Sequence, residues 1–319
     1  MRAVSRRQDE LTALARRWSA IPAETARIVR ALGGTGRVES PFGLVGHRQD
    51  LRGCPVSSPL PARAAAEAAA RNTTDRTRWT SLDLSGARLQ QSRWTDHLVQ
   101  DCVLDDADLS GLRCWGVHVQ ASSFVRADLD HGQLGAGADF WPVRSRWEQV
   151  DLRSADLRGV VTDSVLRRVD FGSAKLRGAR LGWSDLEDCR FAGVIVNLTI
   201  GQRPVARRPT GWLLRGVDLR RATLRECQVI GVDVGAPEVD IKWPEGDGHW
   251  YVPDWPELVA RVGSVLPAID DPDLRRRAGT WHEFAVTDSG PGQRAAYIAE
   301  YDLRSLGGDP LVELVAGLL

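Results

Sequence analysis

Between Thr80 and Leu134 an apolar side chain recurs at every fifth residue: Leu84, Leu89, Trp94, Val99, Leu104, Leu109, Cys114, Val119, Phe124, Leu129 and Leu134. Two residues before each stands a second, mostly small one: Leu82, Ala87, Ser92, His97, Cys102, Ala107, Leu112, Val117, Ser122, Ala127 and Gly132. A helix repeats its apolar face about every 3.6 residues and a strand about every 2, so neither produces a period of five. A coil that turns a corner every five residues does. Each unit then sends one large and one small side chain inward, four units close a square, and successive squares pair as parallel strands about 4.8 Å apart.

The pattern is interrupted twice. Residues 135–144 (GAGADFWPVR) leave it, with glycine and proline as punctuation. Trp147, Leu152 and Leu157 resume it, one unit loses a residue around Val160 to Asp163, and Leu166, Phe171, Leu176, Leu181, Leu186, Phe191 and Val196 follow, the last with Val194 as its inward partner. Residues 201–212 (GQRPVARRPTGW) form the second excursion, after which Leu219, Leu224, Val229 and Val234 complete the run. About six coils make a rod roughly 30 Å long. The expected fold is mostly β: a right-handed quadrilateral β-helix over 76–236, interrupted near 135–146 and 201–213, with a helical N-terminal cap over 1–75 and a helical C-terminal region over 237–319.

The flanks read differently from the rod. Leu11, Leu14, Ala15 and Trp18, then Ile28, Val29 and Leu32, follow helical spacing and predict caps over the open end. Residues 49–53 (QDLRG) look like a detached first repeat strand, and the alanine-rich 61–71 like a short helix. Beyond Val234, residues 242–255 read as a connector packed on the last coil, Leu258, Val259, Val262, Val265 and Leu266 as one helical stripe, and 274–286, 294–306 and 311–319 as three more helices.

Composition narrows the function classes. Lys plus Arg and Asp plus Glu are equal at 42 each, so net charge selects no partner. The five cysteines (Cys54, Cys102, Cys114, Cys189, Cys227) are widely spaced and mostly on inward positions, which predicts small core fillers in a reduced, cytoplasmic protein. No apolar run has membrane-spanning length. No nucleophile elbow, zinc-protease, phosphate-loop or dinucleotide motif occurs, and the expectation is a non-enzymatic protein without cofactor or metal. Divided along the chain, charge is uneven: Thr80–Leu134 carries eight acids against four arginines, whereas 142–234 carries eleven acids against seventeen basic residues. The rod is expected to be dipolar along its length.

Ala107-Asp108-Leu109, Ala127-Asp128-Leu129 and Ala155-Asp156-Leu157, with the variants at Ala87, Ala174 and Ala179, resemble the A(D/N)LXX consensus of the pentapeptide-repeat family. That resemblance implies the square β-helix. It also implies one known role, mimicry of DNA toward gyrase or topoisomerase IV with resistance to quinolones or a self-toxin, and a tendency to dimerise through a C-terminal element such as 311–319. Asp105, Asp106, Asp108, Asp128 and Asp130, together with Arg203, Arg207 and Arg208 in the second excursion, are the candidate partner-binding residues. The arginine-rich second half argues against DNA mimicry along the whole rod, because a DNA-binding groove is basic. Direct nucleic-acid binding is disfavoured by interspersed acids and the lack of a groove-reading motif. The leading expectation is therefore a scaffold or regulatory module that binds another protein, with the gyrase-directed role as the alternative.

Overall fold

The computed structural model describes residues 2–34, 36–56, 77–135, 143–182, 184–201, 213–230, 232–244, 248–289 and 292–319. Four columns of inward side chains run the length of a right-handed quadrilateral β-helix. The first face stacks Leu51, Leu84, Leu104, Phe124, Leu152, Phe171, Phe191 and Leu219. The second stacks Val56, Leu89, Leu109, Leu129, Leu157, Leu176, Ile195 and Leu224. The third runs through Trp94, Cys114, Leu134, Thr162, Leu181, Ile200 and Val229, and the fourth through Trp79, Val99, Val119, Trp147, Leu166, Leu186, Leu214 and Val239. Pairing between coils is parallel throughout, as one chain winding in one sense requires. Large rings meet along the axis: Trp79 packs edge-on to Trp94 at 5.0 Å between centroids, and Phe171 stacks on Phe191 at 4.7 Å.

The corners explain the consensus. At many turns the N–H of the small inward residue donates to the carbonyl of the preceding centre, as from Ala87 to Leu84 (3.0 Å), Ala107 to Leu104 (3.2 Å) and Ala127 to Phe124 (3.0 Å). The aspartate before a centre then folds back on its own backbone. Asp83, Asp108, Asp128, Asp151, Asp170 and Asp218 each accept the N–H two residues ahead, at 2.9 to 3.2 Å. This is an Asx turn, and it ties the repeat aspartate to the folding of the corner. Two residues past the centre the backbone is left-handed at many corners, with φ of 57° at Asp106 and 61° at Arg126.

Several sequence expectations change. The detached strand at 49–53 does join the rod, with Gln49 opposite Leu82 and Asp50 opposite Asp83. The unit after Phe191 is one residue short: Ile195 is buried, whereas Val194 is 56% exposed, so the inward pair proposed at Val194 and Val196 is wrong by one position. The two N-terminal helices divide the expected capping between them. Helix α2 (Pro22–Leu32) closes the open end, burying Ile28 and Leu32 and accepting the Trp79 indole N–H on the Leu32 carbonyl. Helix α1 (Arg2–Ser19) instead lies along the edge between the first and second faces. There Gly53 and Gly86 leave room for it: a Cβ on Gly53 would sit 2.7 Å from the Leu14 backbone, and one on Gly86 2.5 Å from a Leu11 methyl. A helical turn of about 5.4 Å nearly matches the coil spacing of about 4.8 Å, so α1 meets successive coils turn by turn. Residues 61–71 lie outside the described residues.

The C-terminal region has its own core, formed by Val252, Trp255, Leu258, Val262, Ala278, Ile298, Leu303, Leu311 and Val315. Helices α3 (Trp255–Val265), α4 (Pro272–Asp288) and α5 (Glu300–Ala316) build it, the last broken at Gly308, where φ is 68°. The helix expected over 294–306 begins only at Glu300. Ala296–Ala299 is a strand that pairs antiparallel with His249–Val252, and this two-stranded ladder buries Ala296, Ile298 and Ala299. The expected connector first adds a rung to the last coil, Val217 opposite Ile241, and Trp243 then stacks on Tyr297 at 4.1 Å.

Candidate functional site

The five candidate aspartates are brought together, but most of their carboxylates are already engaged. Asp106 is held by Arg7 of α1 and by Arg126 from the next coil, 2.9 Å away; burial opposes its charge, yet the two guanidiniums keep the carboxyl below its usual range. Asp105 accepts from the Ser123 hydroxyl at 2.5 Å and the Val125 N–H at 3.0 Å, and burial raises its proton affinity. Asp108 accepts from Ser110 and from the Gln90 amide, Asp128 from the backbone of Asp130, and Asp130 faces His131 at 2.9 Å. On the second face, register sets Asp108, Asp128 and Asp156 in line, with Arg88 at one end and Lys175 at the other. Lys175 and Arg158 both reach Asp156. The acidic strip is short and closed by cations. Arg203, Arg207 and Arg208 lie outside the described residues.

The rod's charges are sorted around its axis as well as along it, which a linear count does not reveal. Outward aspartates concentrate on the first and second faces at the Asx-turn position. On the third face the same position carries Arg93, Arg113, Gln133, Val161, Arg180 and Thr199, with no acid. On the fourth face it is mixed, with Arg78 and Arg146 but also Asp185 and Glu238.

Among the described residues the long departures from the coil fall at one edge, whereas the short unit between Phe191 and Ile195 lies between the first and second faces. Val119 and Trp147 are 28 residues apart in register where an uninterrupted coil takes 20, and the extra residues fall between Leu134 of the third face and Trp147 of the fourth. Leu186 and Leu214 are again 28 apart, with the excess between Ile200 of the third face and Leu214 of the fourth. The step from Val229 to Val239 crosses that edge too, and the long N-terminal segment re-enters the rod there, at the fourth-face strand Arg78–Thr80. Insertions in repeat folds that fall on one side commonly mark the binding side.

Among the described residues no cluster of three metal-ligating side chains forms, and no helix is long and apolar enough to cross a membrane. The five cysteines are free thiols; burial pushes Cys54, Cys102 and Cys189 up to about 12. His97 is sealed inside the rod, stacked on Trp94, and burial lowers its pKa to about 4. Leu311 and Val315 are fully buried in the chain's own C-terminal core, whereas Leu319 is 50% exposed.

The pentapeptide-repeat profile matches residues 162–197 with eight copies. No curated protein matches the chain by sequence. Similar solved structures include a trypsin-treated form of QnrB1, a plasmid-mediated fluoroquinolone resistance protein: 16% identity, 56% of this chain and 79% of that one covered, TM-score 0.34. HetL, involved in heterocyst differentiation regulation in the cyanobacterium Nostoc sp. strain PCC 7120, is 20% identical, with 50% and 73% covered and a TM-score of 0.22. Rfr23 from the cyanobacterium Cyanothece 51142 is 16% identical, with 40% and 66% covered and a TM-score of 0.22. With its five-residue period, four-column core and aspartate-closed corners, the chain carries pentapeptide repeats, matched by the family profile over residues 162–197.

Proposed function

We propose that this chain is a non-enzymatic protein-binding scaffold, in which the β-helix presents one edge to a partner and the C-terminal helical region extends the platform. The observation that carries this reading is that the long departures from the coil open between the third and fourth faces. A rod paired coil to coil is rigid, so segments anchored along one edge keep fixed spacings, and a preorganised surface loses less entropy on binding. The arginines of the second excursion, Arg203, Arg207 and Arg208, belong by sequence to that edge and are proposed to contribute to it.

Gyrase-directed DNA mimicry is the less supported reading. Its natural surface is the aspartate strip of the second face, yet Arg88 and Lys175 bracket that strip, and α1 places Arg7 on Asp106. A basic DNA-entry groove would meet cations at both ends.

The test is purification of the tagged full chain from its own cells at low ionic strength. A stoichiometric protein partner is expected. A chain that elutes free across all lysis conditions contradicts the scaffold reading.

A further inference from the structure

Arg93, Arg113 and Arg180 on the third face and Arg78, Arg146 and Arg215 on the fourth are all exposed, and none forms an ion pair with a described residue. Several acids nearby are taken: Asp101 is held by Arg48 and His47, Asp163 and Asp185 by Arg144, and Glu187 by Arg167 at 2.7 Å, whereas Glu148, Glu238 and Asp240 on the fourth face and Asp188 at its far corner have no arginine partner among the described residues. The third face therefore presents free arginines with no acid at the same position, whereas the fourth carries both signs. Arg93 and Arg113 stand directly opposite each other on adjacent coils, where like charges repel and weaken the ladder. The aspartates of the other faces close corners; these arginines do nothing comparable for the fold.

We propose that the third face, with the edge it shares with the fourth, forms a docking surface for an acidic segment of a partner protein. This deepens the scaffold reading and rests on it. Two features favour a protein over nucleic acid. The positive ladder is broken between Arg113 and Arg180 by Gln133 and by Val161, which is 43% exposed, and Leu98, Trp115 and Val165 are half-buried on the same two faces. A phosphate backbone carries evenly spaced charge and would leave phosphates opposite that apolar break. An acidic protein segment with interspersed apolar side chains matches both parts.

The experiment measures fluorescence anisotropy of a labelled oligo-glutamate peptide, and of a duplex DNA of equal charge, against the full chain at low salt. The triple variant Arg93→Glu, Arg113→Glu, Arg180→Glu is compared with Arg177→Glu, Arg190→Glu, Arg221→Glu, which changes net charge equally on the first two faces and their edge. The first triple is expected to weaken peptide binding by at least about tenfold and the second by no more than about twofold. The neutral triple Arg93→Gln, Arg113→Gln, Arg180→Gln is expected to weaken binding while leaving the melting temperature unchanged or raised, which separates recognition from folding. Equal losses in the two charge-reversed triples, no peptide binding by the wild type, or tighter binding of the DNA would each overturn the proposal. If a native partner co-purifies undiminished with the first triple, the arginine assignment fails while the scaffold reading stands.

Discussion

His97 offers a quantitative test of how the rod is filled. It occupies a small-residue inward position, its Nδ1 is 3.1 Å from the Thr95 N–H, its Nε2 has no partner, and the rings of Trp79 and Trp94 enclose it. Burial lowers its pKa from the usual 6.5 to about 4, so between those values the unfolded chain binds a proton that the folded chain refuses. Stability from this residue is therefore complete above pH 6.5 and is lost as pH falls toward 4. At about 1.4 kcal/mol per pH unit, the loss approaches about 3 kcal/mol at pH 4. Asp302 acts oppositely: burial lifts its pKa from 3.8 to about 6, which stabilises the folded chain as pH falls through the same window. The wild-type profile alone is thus ambiguous, and the informative quantity is its difference from His97→Val, which places a small apolar group where Val117 stands in the next coil. Urea unfolding followed by tryptophan fluorescence at pH 7, 6, 5 and 4 should show the variant losing about 3 kcal/mol less than the wild type. Parallel profiles would show that His97 is hydrated or charged in the folded rod and would refute the sealed-core account.

Other expectations follow from named contacts. Asp128→Ala removes an Asx-turn acceptor and should destabilise the protein by about 1 kcal/mol in denaturant unfolding, with Asp128→Asn close to wild type. Gly53→Ala places a methyl against the α1 backbone, which cannot yield, and should release α1 to limited proteolysis at a cost of about 1–3 kcal/mol. Among the cysteines, half-buried Cys227 should react first with a thiol reagent under native conditions, and Cys114 only on unfolding. In a gyrase supercoiling assay, micromolar protein should have no effect; inhibition would restore the DNA-mimic reading.

The rod was legible because a five-residue period belongs to no other regular element, and because each unit repeats the same steric demand. Three features were not. The docking of α1 depends on Gly53 and Gly86, which are 33 residues apart and become neighbours only once the coils stack. The aspartates of the consensus look like free surface charge in a sequence, since only the folded corner turns the carboxylate onto its own backbone. Charge counted along the chain reports ends, whereas winding redistributes residues around the axis with a period near one coil. That is why the basic third face was invisible and the acidic cluster was overvalued. The slip at Ile195 and the strand at Ala296–Ala299 are smaller errors of the same origin: both runs are apolar enough to fit two registers, and tertiary packing chooses.

The central claim is that partners dock where the excursions open, and photocrosslinking around a single coil tests it most directly. A photoreactive amino acid is placed in turn at Ser123, Ser110, Gln133 and Gln120, one probe on each face. In the chain's own cells, a discrete protein adduct should form from Gln133 and Gln120 and not from Ser123 or Ser110. Adducts confined to Ser123 and Ser110, or equal from all four positions, would contradict the account.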